Sequence, residues 1–493
     1  MFSELPPECL SKILKWSRND IPTLYHCIGV NRQWCHLVAY YLYKAPWDSL
    51  PNVAANSLQQ KRALLLMNTL FTCLELETLR VSTTSSSLSA SKLNPLVDYF
   101  SYIKQVDLKW IQQALWCIHQ HSFESQEYGV SVVEAGIHRF WRAMSLGYSD
   151  NLERLRCAES IPLELVFNLP IKLTQLTHLV IEHSRCDPID NKVFQAIAET
   201  CHHLEVLKIR SLKSSFTQVN LESIISNIRQ NTLRKLVLDC IHEVQLEGLM
   251  NVLVKYHSDS LEYFKLRNCD VSSVSSLAKL SCFPNLRSVK ITRCSCLNDQ
   301  VVASISLKAI QCLDVSETNV GMDFIRSIVR SSRASLRKLN VAHTKVGHTE
   351  ELFKLISYYC PNITHLDIGG LFYNYVDVTS MVISTSRLKS LSLGCAVLKC
   401  PLQADRMIMA LLQDCASIEN LEISGSHITP ASLVTLSRLP NLQKVSLSFC
   451  RNITEYQAKG LLESTGVKIT WRKMPGRQNA IHRLPAFIVP YWL

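Results

Sequence analysis

Along residues 176–447, apolar and polar side chains follow one short pattern: apolar, two of any kind, apolar, one of any kind, apolar. Copies read Leu176-Thr177-His178-Leu179-Val180-Ile181, Leu261-Glu262-Tyr263-Phe264-Lys265-Leu266 and Leu442-Gln443-Lys444-Val445-Ser446-Leu447. Eleven such copies start at positions 176, 204, 233, 261, 286, 310, 336, 363, 388, 418 and 442, at spacings of 24 to 30 residues. The twofold period inside each copy predicts a short strand that turns alternate side chains into a core. Between the strands, stretches such as 191–200 and 351–357 carry apolar residues every three or four positions, the spacing of an outer helix. One strand–helix unit cannot bury its own apolar face, so neighbouring units must stack.

A period of this length resembles the leucine-rich repeat. Weaker copies at Leu152–Leu155 and Val467–Ile469 extend the series to about 11–13 repeats over residues 151–470. The expected fold class is α/β: a leucine-rich-repeat horseshoe with parallel strands on the concave face and helices outside. Cys269, Cys294 and Cys450 fall eight residues after the first apolar position, Cys240 and Cys395 seven after it, where a small buried side chain closes a turn. Cys201, Cys360 and Cys415 fall three before it. The segments 294–299 and 450–455 resemble the cysteine-containing class of the repeat, which is common in F-box receptors.

The N-terminus reads as three short helices over residues 1–48. Pro6-Pro7-Glu8 suits a helix start, because proline lacks the amide that would be orphaned there and an acid favours the positive end. Asn19-Asp20 caps a second helix, with Pro22 in its first turn, and Asn31 a third bearing Trp34, Leu37, Val38 and Tyr41. Leu5-Pro6-Pro7-Glu8, Ile13-Leu14, Leu24, Cys27, Val30-Asn31-Arg32 and Trp34 together resemble an F-box. Tyr43-Lys44-Ala45-Pro46-Trp47 is similar to an ending common in fungal members. The resemblance implies a Skp-family adaptor, and through it a cullin–RING ubiquitin ligase, as partner. Leu5 and Pro6 would make the leading contact, and Ile13, Leu14, Leu24, Val30 and Trp34 the buried anchor. The same helices would also serve as a cap on the first repeat. Residues 49–150 read as a helical linker, with helices over 59–76 and 94–119 around a serine-rich loop at 82–91. Residues 471–493 read as a basic, then apolar, tail that folds over the last repeat or enters the concave face.

Composition narrows the class. Hydrophobic residues make up 47% of the 493 and charged ones 19%, which suits a large core and argues against disorder. The net charge of +11 is uneven: +1 over residues 1–150 and +10 over 151–493. That balance points to acidic partners, and the aspartates and serines along the strands interrupt the continuous basic face that nucleic acid would need. Nineteen cysteines, with no basic-then-apolar start and no apolar run of bilayer length, fit a reduced cytoplasmic or nuclear protein without a membrane span. No Gly-x-Gly-x-x-Gly, His-Glu-x-x-His, Gly-x-Ser-x-Gly or Cys-x-x-Cys motif is present, so no enzyme activity, cofactor or metal is expected.

Positions three, five and seven of each repeat face away from the core. In the early repeats they supply Lys208, Arg210, Lys235, Tyr263, Lys265, Arg267 and Lys290, a candidate substrate-binding stripe for an acidic or phosphorylated segment. In the later ones they supply Ser390, Ser392, Gly394, Asn420, Glu422, Ser446 and Ser448, a small polar surface. The combined expectation is a non-catalytic substrate-recognition subunit of an SCF-type ubiquitin ligase. The alternative is a binding scaffold with a degenerate F-box, acting outside any ligase.

Overall fold

The computed structural model describes residues 6–17, 20–50, 53, 57–82, 99–122, 129–145, 148–157, 161–167, 173–183, 191–211, 218–241, 244–269, 271–272, 274–294, 297, 299, 305–347, 349–371, 375–394, 401–450, 452–462 and 465–471. Leu5, Cys395, the serine-rich residues 83–91 and the segment 472–493 lie outside them. The chain divides into two compact units: residues 1–242 with 255–257, and residues 243–254 with 258–493. Among the described residues the sheet strands are parallel, with five in the first unit and nine in the second. This is the leucine-rich-repeat fold that the period foretold.

The first unit opens with three helices, α1 (Pro7–Trp16), α2 (Ile21–Ile28) and α3 (Arg32–Tyr43). Asp20 accepts from the Thr23 amide at 3.2 Å and Asn31 from the Trp34 amide at 2.9 Å, so both expected caps form. Leu14, Leu24 and Val38 make the core, with Cys27, Ile28, Leu37 and Tyr41 packed around it. Then follow α4 (Ser57–Ser82), β1 (Gln105–Asp107), α5 (Leu108–Ser122), α6 (Gly129–Ser145), β2 (Arg154–Cys157) and α7 (Leu163–Phe167). The unit continues through β3 (His178–His183), α8 (Asn191–Thr200), β4 (Val206–Ser211), α9 (Gln218–Asn227) and β5 (Lys235–Asp239).

Strand β1 lies inside the segment expected to be helical linker, and it pairs in parallel with β2, Val106 opposite Leu155. The residues explain it. Ile103-Lys104-Gln105-Val106-Asp107-Leu108 has the repeat pattern, and Ile103, Val106 and Leu108 are buried. The next copy starts 49 residues later, because α5 and α6 occupy the interval. The wider gap hid the strand.

The second unit holds β6 (Val244–Gln245), α10 (Leu246–His257, whose last three residues belong with the first unit), β7 (Tyr263–Arg267), β8 (Val271–Ser272) and β9 (Ser288–Thr292). Next come β10 (Cys312–Asp314), α11 (Met322–Ser332), β11 (Lys338–Asn340), α12 (Thr349–Tyr359), β12 (His365–Asp367) and α13 (Tyr375–Ser384). It closes with β13 (Ser390–Ser392), α14 (Pro401–Asp414), β14 (Asn420–Glu422), α15 (Pro430–Leu436), β15 (Lys444–Ser446), α16 (Glu455–Leu462) and β16 (Lys468–Thr470). Among the described residues, the short strands β6 and β8 pair only with each other.

Two devices tie one repeat to the next. Pairs of successive amides share one carbonyl of the preceding repeat: Lys338 N and Arg337 N both bond Gln311 O at 2.9 Å, and His365 N and Thr364 N bond Arg337 O at 3.0 and 2.8 Å. The eighth residue of the repeat then turns the chain in a left-handed conformation: Cys240, Asn268, Arg293, Glu317, His343, Gly370, Gly425 and Phe449 have φ between 50° and 77°. An L-residue there costs roughly 1–2 kcal/mol, offset where its amide reaches the next repeat, as Glu317 N does to Ala342 O at 2.9 Å. Cys240 therefore supplies the turn itself and is half-buried, whereas Cys269, Cys294 and Cys450 are buried one residue later, as expected. The helices are also capped across repeats. Asp299 accepts from the amides of Gly321, at 2.7 Å, and Asp323, at 3.3 Å, at the start of α11. Asp405 accepts from the Thr429 amide at 3.0 Å before α15.

Candidate binding surfaces

The helical hook presents apolar side chains that its own core does not use. Ile13 is 44% exposed and Val30 57%, and Pro6 is exposed as well. Leu14 and Leu24 turn the other way and are 2% and 0% exposed, so they build the hook from inside. Trp34 packs half-buried against that core, and its indole Nε1 has no hydrogen-bond partner among the described residues. Three exposed residues lie outside the expected adaptor-binding set: Trp16 at 92%, Tyr25 at 70% and Ile21 at 38%. The signal was present, since Cys9, Ile13 and Trp16 recur at i, i+4 and i+7, a second apolar helix face.

The hook is joined to the strands of its unit by the same rung that joins the repeats. The Lys44 carbonyl, just past α3, accepts from the Lys104 and Gln105 amides, both at 3.1 Å. Lys44 and Lys104 also hold Glu153 at 3.3 and 2.9 Å. Burial alone would raise the Glu153 carboxyl, but the two ammonium groups outweigh it and hold it low. A groove of about 1020 Å³ lies beside this junction, lined by Lys15, Tyr40, Tyr41, Asp48 and Arg154 among others.

On the strands of the first unit, Arg210 of the expected cations stands near an acid, and two further cations, Lys109 and Arg156, are paired. Glu182, only 9% exposed, accepts from Lys109 at 2.8 Å and from Arg156 at 2.7 Å, and Arg156 also reaches Asp107 at 3.4 Å. Burial pushes the Glu182 carboxyl up, and the bonds from Lys109 and Arg156 overcome that and leave it below its usual range. Arg210 lies 4.0 Å from Asp239. Lys208 and Lys235 are half-buried between core-facing neighbours, and Lys208 has no carboxylate partner among the described residues.

In the second unit Tyr263, Lys265 and Arg267 alternate with buried Phe264 and Leu266 on β7. Lys265 sits opposite Lys290 of β9, so that face begins basic. The fifth position then changes sign. Lys290 is in register with Asp314, and the row continues through Asn340, Asp367, Ser392, Glu422 and Ser446. These polar side chains fold onto the backbone two residues ahead: Asp314 accepts from Ser316 N at 3.2 Å, Asn340 from Ala342 N at 3.0 Å, Asp367 from Gly369 N at 3.0 Å and Glu422 from Ser424 N at 3.2 Å. They belong to the repeat. Burial raises the Asp367 carboxyl, in spite of the Gly369 amide.

The later half of this face is a groove of about 450 Å³ whose lining includes Glu317, Asp367, Glu422, His343, Phe449 and Thr470. Its floor is the seventh position, where Ser316, Ala342, Gly369, Gly394, Ser424 and Ser448 are all small. The sequence reading expected a small, polar surface; the three carboxylates make it acidic as well. Among the described residues no cluster of His, Cys, Asp and Glu could hold a metal ion, and no helix is long and apolar enough to cross a membrane.

No protein-family model matches the chain. Among solved structures it is similar to an internalin from Listeria monocytogenes, with 14% identity, a TM-score of 0.38, and 61% of this chain and 80% of that one covered. It is also similar to the Rad7 and Elc1 complex of yeast, with 17% identity, a TM-score of 0.45, and 67% and 80% covered.

Proposed function

We propose that the chain is a non-catalytic substrate receptor: its hook docks on a Skp-family adaptor of a cullin–RING ubiquitin ligase, and its strand face holds the protein to be ubiquitinated. The observation that carries this reading is the hook's divided set of apolar residues. Leu14 and Leu24 fill the core, while Ile13, Trp16, Ile21, Tyr25 and Val30 stay exposed. An apolar surface on so small a module is a docking surface. The rung at Lys44 supports a receptor role, because it fixes the direction of the hook against the first strands. Such a receptor contributes proximity and no chemistry of its own. Lys265 and Lys290, side by side on β7 and β9, are the stripe cations for an acidic or phosphorylated target segment.

The test is capture of the full chain by a purified Skp-family adaptor, with the double variant Ile13→Ala, Val30→Ala beside it. Both side chains are exposed, so the variant keeps the wild-type circular dichroism. Binding should weaken by about tenfold or more, the loss of two apolar contacts. Equal binding by the variant would sink the assigned surface. No binding by the wild-type chain would sink the receptor reading and leave a repeat scaffold acting outside any ligase.

A further inference from the structure

The strands of the second unit begin on a run of cations. From β9 to β16, the second and third positions of the repeat supply Arg287, Arg337, Lys338, Lys389, Lys444 and Lys468, all exposed, against one carboxylate, Glu419. Lys389 takes that carboxylate at 2.6 Å. The others have no carboxylate partner among the described residues. The register sharpens the imbalance. Lys444 lies directly opposite Lys468, and Arg337 and Lys338 are consecutive. Like charges directly opposite on neighbouring strands destabilise a sheet. Elsewhere the same unit sets an acid of the next repeat against a cation, as at Lys389 with Glu419 and Arg293 with Glu317. His365, in register with Lys338, is held below its usual range by burial and then by the Lys338 ammonium. A sequence breaks such a local rule where function asks for it.

Length, width and chemistry together choose the occupant. From β9 to β16 the strip crosses a row of neighbouring strands, on the order of 34 Å at about 4.8 Å per spacing. An extended chain of about ten residues covers that distance. Two residues further along the same strands, roughly 7 Å away, stand Asp314, Asp367 and Glu422. A single extended chain, about 5 Å wide, fits on the strip without meeting them. A nucleic-acid duplex does not: its grooves are about 6 and 12 Å wide, so phosphates of its second strand would fall on those carboxylates. Single-stranded nucleic acid stacks its bases on aromatic rings, and the second and third positions from β9 to β16 hold no Phe, Tyr or Trp.

We propose that the starts of β9 to β16 form a docking strip for an extended, Asp/Glu-rich segment of a partner protein, which crosses the strands and sets its carboxylates against Arg287, Arg337, Lys338, Lys444 and Lys468. The row of Asp314, Asp367 and Glu422 beside the strip repels a broader polyanion and keeps the segment to one line. The strip is separate from the stripe at Lys265 and Lys290, and it does not depend on adaptor docking.

Fluorescence anisotropy of the full chain with a labelled peptide of about ten alternating glutamates and serines, at low ionic strength, tests it. The double variant Lys444→Glu, Lys468→Glu should weaken binding by about tenfold or more, because two exposed ion pairs are replaced by repulsion. Lys444→Gln with Lys468→Gln, which introduces no like-charge contact with the peptide, should weaken it by about threefold. Lys265→Glu with Lys290→Glu removes the same net charge from the stripe and should change the affinity by less than about twofold, since screening confines each charge to its neighbourhood. Equal losses from the strip and stripe reversals would mean unspecific attraction and overturn the proposal. A larger loss from the stripe reversal also overturns it, gives the acidic segment to Lys265 and Lys290, and leaves the receptor reading standing. Absence of saturable binding by the wild type overturns it, as does tighter binding of a DNA duplex of equal charge, which would give the face to nucleic acid.

Discussion

The seventh position of the repeat behaves differently in the two units. In the first it is occupied by Glu182, Arg210 and Asp239, and in the later second unit by Ser316, Ala342, Gly369, Gly394, Ser424 and Ser448. The strands are otherwise alike, parallel and in register. Register puts equal positions side by side, so a choice made in every repeat acts as a column. Long charged side chains fill the face there: Glu182 bonds Lys109 of the same column and Arg156 of the fifth position. Small ones leave a groove, where Asp367 and Glu422 bond to their own backbone. Charge on a strand face is therefore no guide to what it can bind until its partners are known.

The comparison can be broken most forcefully at Glu182. Glu182→Ala strands Arg156 and Lys109, and should lower stability by about 2 kcal/mol, the modest end for a broken buried pair because both cations are partly exposed. Urea unfolding at pH 7 measures it, and an unchanged midpoint would mean that the network holds nothing. The next effect sharpens the account of the groove floor. A Cβ at Gly369 would sit 2.9 Å from the Gly394 carbonyl, whereas one at Gly394 would meet Glu422 Cγ at 3.4 Å. Gly369→Ala should cost roughly 1–2 kcal/mol, because backbone must shift, and Gly394→Ala under about 0.5 kcal/mol. Equal costs would contradict the close approach of the two strands.

The smallest effect concerns the sign of pH dependence. The carboxyl of Glu182 is held low, so its stabilisation is present above its unfolded value and is lost as pH falls through the folded one. The carboxyl of Asp367 is held high, so its ionisation penalises the fold at neutral pH, and the penalty is lifted as pH falls through the folded value towards the unfolded one. Unfolding of the wild type against Glu182→Gln and Asp367→Asn, from pH 7 to pH 4, should thus give differences of opposite sign, both shrinking as the pH drops. Differences of the same sign would show that one of the two environments is misassigned.

Much of this architecture was legible before the fold was seen. Alternation within each copy gave the strands, because a buried Leu179, Leu236 or Leu391 must be flanked by outward residues. Strand β1 was hidden only by the α5–α6 insertion between its copy and the next. The left-handed turn left no chemical trace: Cys, Asn, Arg, Glu, His, Gly and Phe all occupy it, so only its position identifies it. The seventh-position column was readable, but only by laying the repeats one above another, since no single copy shows that Gly369 and Gly394 are neighbours. In the hook, helical spacing named the apolar residues. It did not sort Leu14 from Ile13, adjacent in sequence and opposite in burial, because three short helices have more apolar positions than one core absorbs.

The caps that pass between repeats bear on how such a chain can grow. Asp299 belongs to the copy before the helix that it caps, as does Asp405. A gene segment cut at the leucines and duplicated or deleted would carry a helix away from its cap, or leave a cap facing a stranger. Copies at these two joints are thus not interchangeable bricks. A shortened descendant of this chain would keep its register most readily where no such debt crosses the cut.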